Sequence, residues 1–64
     1  MTPTIKYRPE DNAAYIRLSG QHIVESAEIA PGVVFDYDAE GRIVGIELLD
    51  ARAQLSPDLL VEAA

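Results

Sequence analysis

Four acids and a glycine, spaced Asp36-x-Asp38-x-Glu40-Gly41-x5-Glu47, nearly match the pattern by which an EF-hand loop offers oxygen ligands to calcium. Asp36, Asp38 and Glu40 would supply side-chain oxygens, Arg42 a carbonyl and Glu47 a bidentate carboxylate. Such a loop needs a helix on each side, and here Pro31-Gly32 breaks the chain just before the first ligand. The second helix would have to begin in Gly45-Ile46-Glu47, where glycine and a β-branched residue favour extended chain. The same stretch fits a β-hairpin. Val33, Phe35 and Tyr37 alternate with Val34, Asp36 and Asp38, the period of two that a strand imposes. Asp38 can accept from amides two residues on, and Gly41 can take the positive φ of a bulged turn before Ile43 to Leu49 returns as a second strand. The hairpin is the reading adopted, so no metal site is expected. A divalent-cation or small-ligand site at the acidic tip, using Asp36, Asp38, Glu40 and Glu47, is the alternative.

Other candidate chemistry is sparse. His22 can exchange a proton near neutral pH, with Glu25 or Glu28 to orient it, but the chain supplies neither a matching nucleophile nor an oxyanion site. Asp36 faces inward in the hairpin and needs a partner if buried, for which Arg17 or Arg42 is the expected one. Tyr7, Tyr15 and Tyr37 read as core bodies with wet tips, or as hydroxyls lining a groove. No catalytic residue and no cofactor is expected.

Composition narrows the classes further. One domain spanning 1–64 is the most that 64 residues allow, and a chain of that size buries only about 60% of its unfolded surface. It has no cysteine, which rules out disulfides, thiol nucleophiles and Cys/His zinc clusters. A formal charge of −6 with scattered basic residues argues against direct binding of nucleic acid or anionic membranes, and suits a basic protein partner. No apolar run approaches a membrane span, and MTPTIKYRPED carries no hydrophobic signal core, so a cytoplasmic location is expected.

The elements that must position these residues follow from periodicity. Ile5 and Tyr7 mark a first strand, Pro9 to Asn12 a turn, and Ala13 to Leu18 a second strand. Gln21 to Ala30 reads as a strand interrupted by a bulge or break, because Val24 and Ile29 otherwise fall on opposite faces; a short helix is the alternative. Ser56 as cap, Pro57 at the first position and Asp58 near the positive end predict a helix from Pro57 to about Ala64. Two turns cannot stand alone, so Leu55, Leu59, Leu60 and Val61 must pack on the sheet. The predicted fold is α+β: a small, mainly antiparallel sheet of four to five hairpin-connected strands, with a short C-terminal helix on one face.

Counting outward from the turn sets Tyr37 opposite Ile43, Asp36 opposite Val44, Phe35 opposite Gly45 and Val34 opposite Ile46, with Phe35 over the bare glycine. If Val34, Val44, Ile46 and Leu48 take the helix-covered face, then Val33, Phe35, Tyr37, Ile43 and Leu49 line the other. That face is too apolar to stay wet. It predicts a homodimer or higher assembly.

Tyr7-x-Pro9-Glu10, Ala13-Ala14-Tyr15-Ile16-Arg17-Leu18, Val24-Glu25-Ser26-x-Glu28, Gly32-Val33 and the run from Asp36 to Ala51 resemble the small bacterial domain-of-unknown-function family numbered 2283, also called YuzE-like. The resemblance spans roughly Ile5 to Leu60. It implies a compact β-rich domain ending in helix and no established activity, cofactor or catalytic residue. It also implies an antitoxin-like or accessory role beside a toxin-like protein. Arg8 and Asn12 stand where relatives often carry an acidic and a small residue, and Ala14 replaces a larger apolar one. Together these readings lead to the expectation of a non-enzymatic, self-associating protein-interaction module.

Overall fold

The computed structural model describes residues 3–63. Five strands, β1 (Thr4–Arg8), β2 (Ala13–Arg17), β3 (Glu25–Ala30), β4 (Val33–Tyr37) and β5 (Ile43–Leu49), are followed by two short helices, α1 (Ala51–Gln54) and α2 (Pro57–Ala63). The strands form one antiparallel sheet in the order β1-β2-β5-β4-β3. Three hairpins account for most neighbours. The exception is the loop from Leu18 to Val24, which carries the chain from β2 past β5 and β4 to the far edge, giving β2 to β5 a Greek-key arrangement. The strand expected over 21–30 therefore exists only from Glu25, and a register shift between Glu28 and Ala30 is the expected irregularity. It is the sheet's outer edge.

The central hairpin departs from the simple count. Tyr37 does pair with Ile43, but Val44 is then an extra residue, and Asp36 faces Gly45, Phe35 faces Ile46 and Val33 faces Leu48. Shifting one strand by a single residue moves every side chain beyond it to the other face. Without the bulge, the apolar positions of β4 and β5 would fall on opposite sides. With it, Val33 and Phe35 join Ile46 and Leu48, and the sheet gains one apolar face and one polar face.

Cross-strand pairing orders that apolar face into rows. Tyr7, Ala14, Leu48 and Val33 lie side by side across β1, β2, β5 and β4, and the next row is Ile5, Ile16, Ile46, Phe35 and Ala27. The helices sit on the first row, where Ala14, Leu48 and Ala51 form the buried cluster and Leu55 and Leu60 pack against it. Leu59 and Val61, also expected to pack, are exposed. Ala64, the last residue of the expected helix, lies outside the described residues.

α1 was not apparent from local sequence. Its start is held by Asn12, 38 residues before Asp50: the Asn12 carbonyl accepts from the Ala51 N–H at 2.9 Å and its side-chain oxygen from the Arg52 N–H at 2.9 Å, while its amide donates to Asp50 at 2.8 Å. Both Asn12 (φ 50°) and Asp50 (φ 54°) are left-handed, a conformation that asparagine and aspartate tolerate better than most residues. At the helix's other end the Gln54 amide donates to the carbonyls of Leu49 (2.5 Å) and Gly32 (3.2 Å), tying α1 to the β3–β4 turn.

Candidate functional site

The acidic tip is a turn held by its own backbone. The Asp38 N–H donates to the Arg42 carbonyl at 2.9 Å and the Gly41 N–H to the Asp38 carbonyl at 3.0 Å, with Gly41 at φ 79°. One Asp38 carboxylate oxygen accepts from the amides of Glu40 (2.9 Å) and Arg42 (3.0 Å). The Arg42 N–H foremost, with the Glu40 N–H and the Arg42 charge behind it, holds the Asp38 carboxyl below the ordinary aspartate range, against a smaller opposing effect of desolvation. Strands flank the turn where a calcium loop would have helices. The four acids are not drawn into one shell: Asp36 is buried, Asp38 is engaged with the turn, Glu40 lies 3.9 Å from Arg42, and Glu47 sits on β5 between Tyr15 and Val34. Among the described residues no three His, Asp or Glu side chains are grouped to hold a metal.

Asp36, only 2% exposed, has a different partner from the expected arginine. The Ser26 hydroxyl, directly opposite on β3, donates to its carboxylate at 2.5 Å. Arg17 instead donates to the Tyr15 hydroxyl (3.2 Å) and to the Gln21 carbonyl (2.7 Å), and Arg42 lies beside Glu40. The reason is geometric. The bulge sets Asp36 opposite Gly45, and the space above that glycine is filled by the Tyr15 ring, whose hydroxyl would stand 2.0 Å from a Cβ there. The strand glycine is thus covered by an aromatic ring, as expected, but by Tyr15 from β2 and not by Phe35.

The remaining candidates are dispersed. His22, the chain's one histidine, is exposed in the crossing loop, and the Glu28 carboxylate accepts from the Gly32 N–H of the next turn. Tyr7 packs on the buried cluster, Tyr15 lies on the polar face, and Tyr37 meets Phe35 edge-on at 6.4 Å between ring centroids. They share no groove. On the polar face a hollow of about 400 Å³ is lined by Lys6, Arg8, Tyr15, Glu47 and Leu49 among others, with charges of both signs. Ser56 donates to the Asp58 carboxylate, and this bond, the foremost cause, holds Asp58 below its ordinary range.

Of the residues expected at an interface, Val33, Phe35 and Tyr37 share the helix side of the sheet, Ile43 pairs with Tyr37, and Leu49 lies on the polar face with Ala13 and Tyr15. The helices pack on the cluster of Ala14, Leu48 and Ala51, against which Ile16 and Ile46 of the second row also lie. Ile5, Ile16, Ile46 and Phe35 in the second are only partly buried, and Ile43 is exposed. Ile5, Ile16 and Ile46, outside that expected set, share this face, as the alternation of Ile5 with Tyr7 and of Ala14 with Ile16 signals.

A family model described as "Protein of unknown function (DUF2283)" matches residues 4–52, which span all five strands and the start of α1. No curated protein and no solved structure matches the chain. No helix among the described residues is long and apolar enough to cross a membrane.

Proposed function

The chain belongs to the family of unknown function DUF2283, which brings no activity with it, and from the geometry we propose that it is a non-enzymatic, self-associating protein-interaction module. One observation carries this reading. Among the described residues the buried apolar side chains are Ala14, Val44, Leu48 and Ala51, two of them alanines, while a row of larger residues beside them stays half open. A core that small is marginal for an unstapled chain, and small domains commonly make up the deficit by oligomerising.

The second copy lies on the partly buried second row, Ile5, Ile16, Ile46 and Phe35 meeting their symmetry mates, with Tyr37 and Ile43 at the margin. An isologous pair of this kind closes on itself and forms no fibre. A standard interface removes about 800 Å² per partner, which is available on a chain exposing 4363 Å². The acid excess supports a basic protein as the further partner, and a toxin-like one is the class that the family resemblance implies.

Light scattering after size exclusion, run over a range of concentrations, tests the reading. A dimer that Phe35→Ser converts to a folded monomer is expected. A monomer at every concentration contradicts it.

A further inference from the structure

The edge strand β3 offers a second surface, distinct from the apolar face. All six of its residues are exposed, it pairs only with β4, and every second residue turns its N–H and C=O outward with no strand to meet them. Proteins normally blunt such an edge with charge and bulges, and β3 has both, in Glu25, Glu28 and the extra residue Ile29. Those glutamates oppose pairing with a second copy, because an antiparallel β3 pair would bring like charges together. They do not oppose a cationic strand.

We propose that β3 takes an extended basic segment of a partner protein as a sixth strand, by main-chain hydrogen bonding along Glu25 to Ala30. Three observations set the chemistry of that segment. On the polar face Ser26 and Glu28, hydrogen-bonded to Asp36 and to the Gly32 N–H, keep free acceptor lone pairs for a Lys or Arg. On the apolar face the row Ile5, Ile16, Ile46, Phe35 ends at the small Ala27, leaving space for an apolar residue of the incoming strand. At the strand's end Glu28, Ile29, Ala30 and Pro31 line a shallow hollow of about 360 Å³, and Ile29 is 50% exposed beside it. The segment therefore alternates cationic and apolar residues. The opposite edge, β1, carries Lys6 and Arg8 and has α2 packed against it, so it does not compete for the same partner.

This deepens the partner half of the proposed function and is independent of self-association. The test is titration of the full chain with a short peptide of alternating Lys and Val, beside the same peptide N-methylated at alternate residues so that it keeps its charge but cannot donate. The unmodified peptide is expected to bind and to slow amide exchange on the outer side of β3, the methylated one to fail, and Glu28→Gln to weaken binding by about threefold. No binding, or binding that survives methylation, overturns the proposal. Light scattering on the same samples reads the oligomeric state separately, so failure of either idea is told apart from failure of the other.

Discussion

At the scale of single residues, Gly45 and Asp36 show how closely the polar face is built. A Cβ at Gly45 would meet the Tyr15 hydroxyl at 2.0 Å and its ring carbon Cζ at 2.7 Å, and the ring is stiff and tethered by Arg17. Gly45→Ala is therefore expected to cost about 1–3 kcal/mol, the usual range for overpacking, measured by urea unfolding. Tyr15→Leu should absorb most of that cost in a double-mutant cycle; additive losses would show that the ring is not what fills the space. Asp38 predicts the pH response. Its folded pKa lies below the unfolded one, so its contribution is fully present above the unfolded value of about 3.9 and is lost as pH falls through the folded value. Asp58 acts in the same direction through Ser56. A urea midpoint that drops on acidification, less steeply in Asp38→Asn, is the expected outcome; identical profiles for the two proteins would count against the turn's role. Asp38 was legible in sequence because its partners lie two and four residues away. The Ser26 hydroxyl was not, since it reaches Asp36 only once the β3–β4 hairpin has set the two residues opposite each other.

At the scale of elements, local chemistry was enough wherever an element is stabilised locally. The alternation of Ile5 with Tyr7 and of Val33 with Phe35 and Tyr37, with turns at Pro9 to Asn12, Pro31-Gly32 and Asp38 to Gly41, is sufficient to set the strands and hairpins. Two features escaped. One is the extra residue Val44, which has no residue type that announces a bulge, and whose insertion moved Phe35 from Gly45 to Ile46 and so reversed the predicted face. The other is α1, whose first amides are satisfied by Asn12 from across the fold. Asn12→Ala removes that acceptor and puts a Cβ-bearing residue without a local polar group at positive φ, which is expected to cost about 1–2 kcal/mol. Asn12→Gly should cost less, because the backbone is then unstrained. Amide exchange at Arg52 reads both; unchanged protection in Asn12→Ala would mean that α1 forms without its remote cap.

At the scale of the whole molecule, the apolar face of the sheet is only partly buried beneath its helices. Helices too short to stand alone close over Ala14, Leu48 and Ala51, while Ile5, Ile16, Ile46 and Phe35 stay only partly buried. An excess of apolar positions on two strands could be read from sequence, but the face they share could not, because that depended on the bulge. The most direct measurement is the thermal midpoint as a function of the protein's own concentration. If a second copy binds the folded chain and not the unfolded one, raising the concentration stabilises the fold by mass action. Each kcal/mol gained moves the midpoint of a chain this small by about 4–8 °C. A midpoint that climbs steadily with concentration is the predicted result, and one that stays constant across the whole range would contradict it.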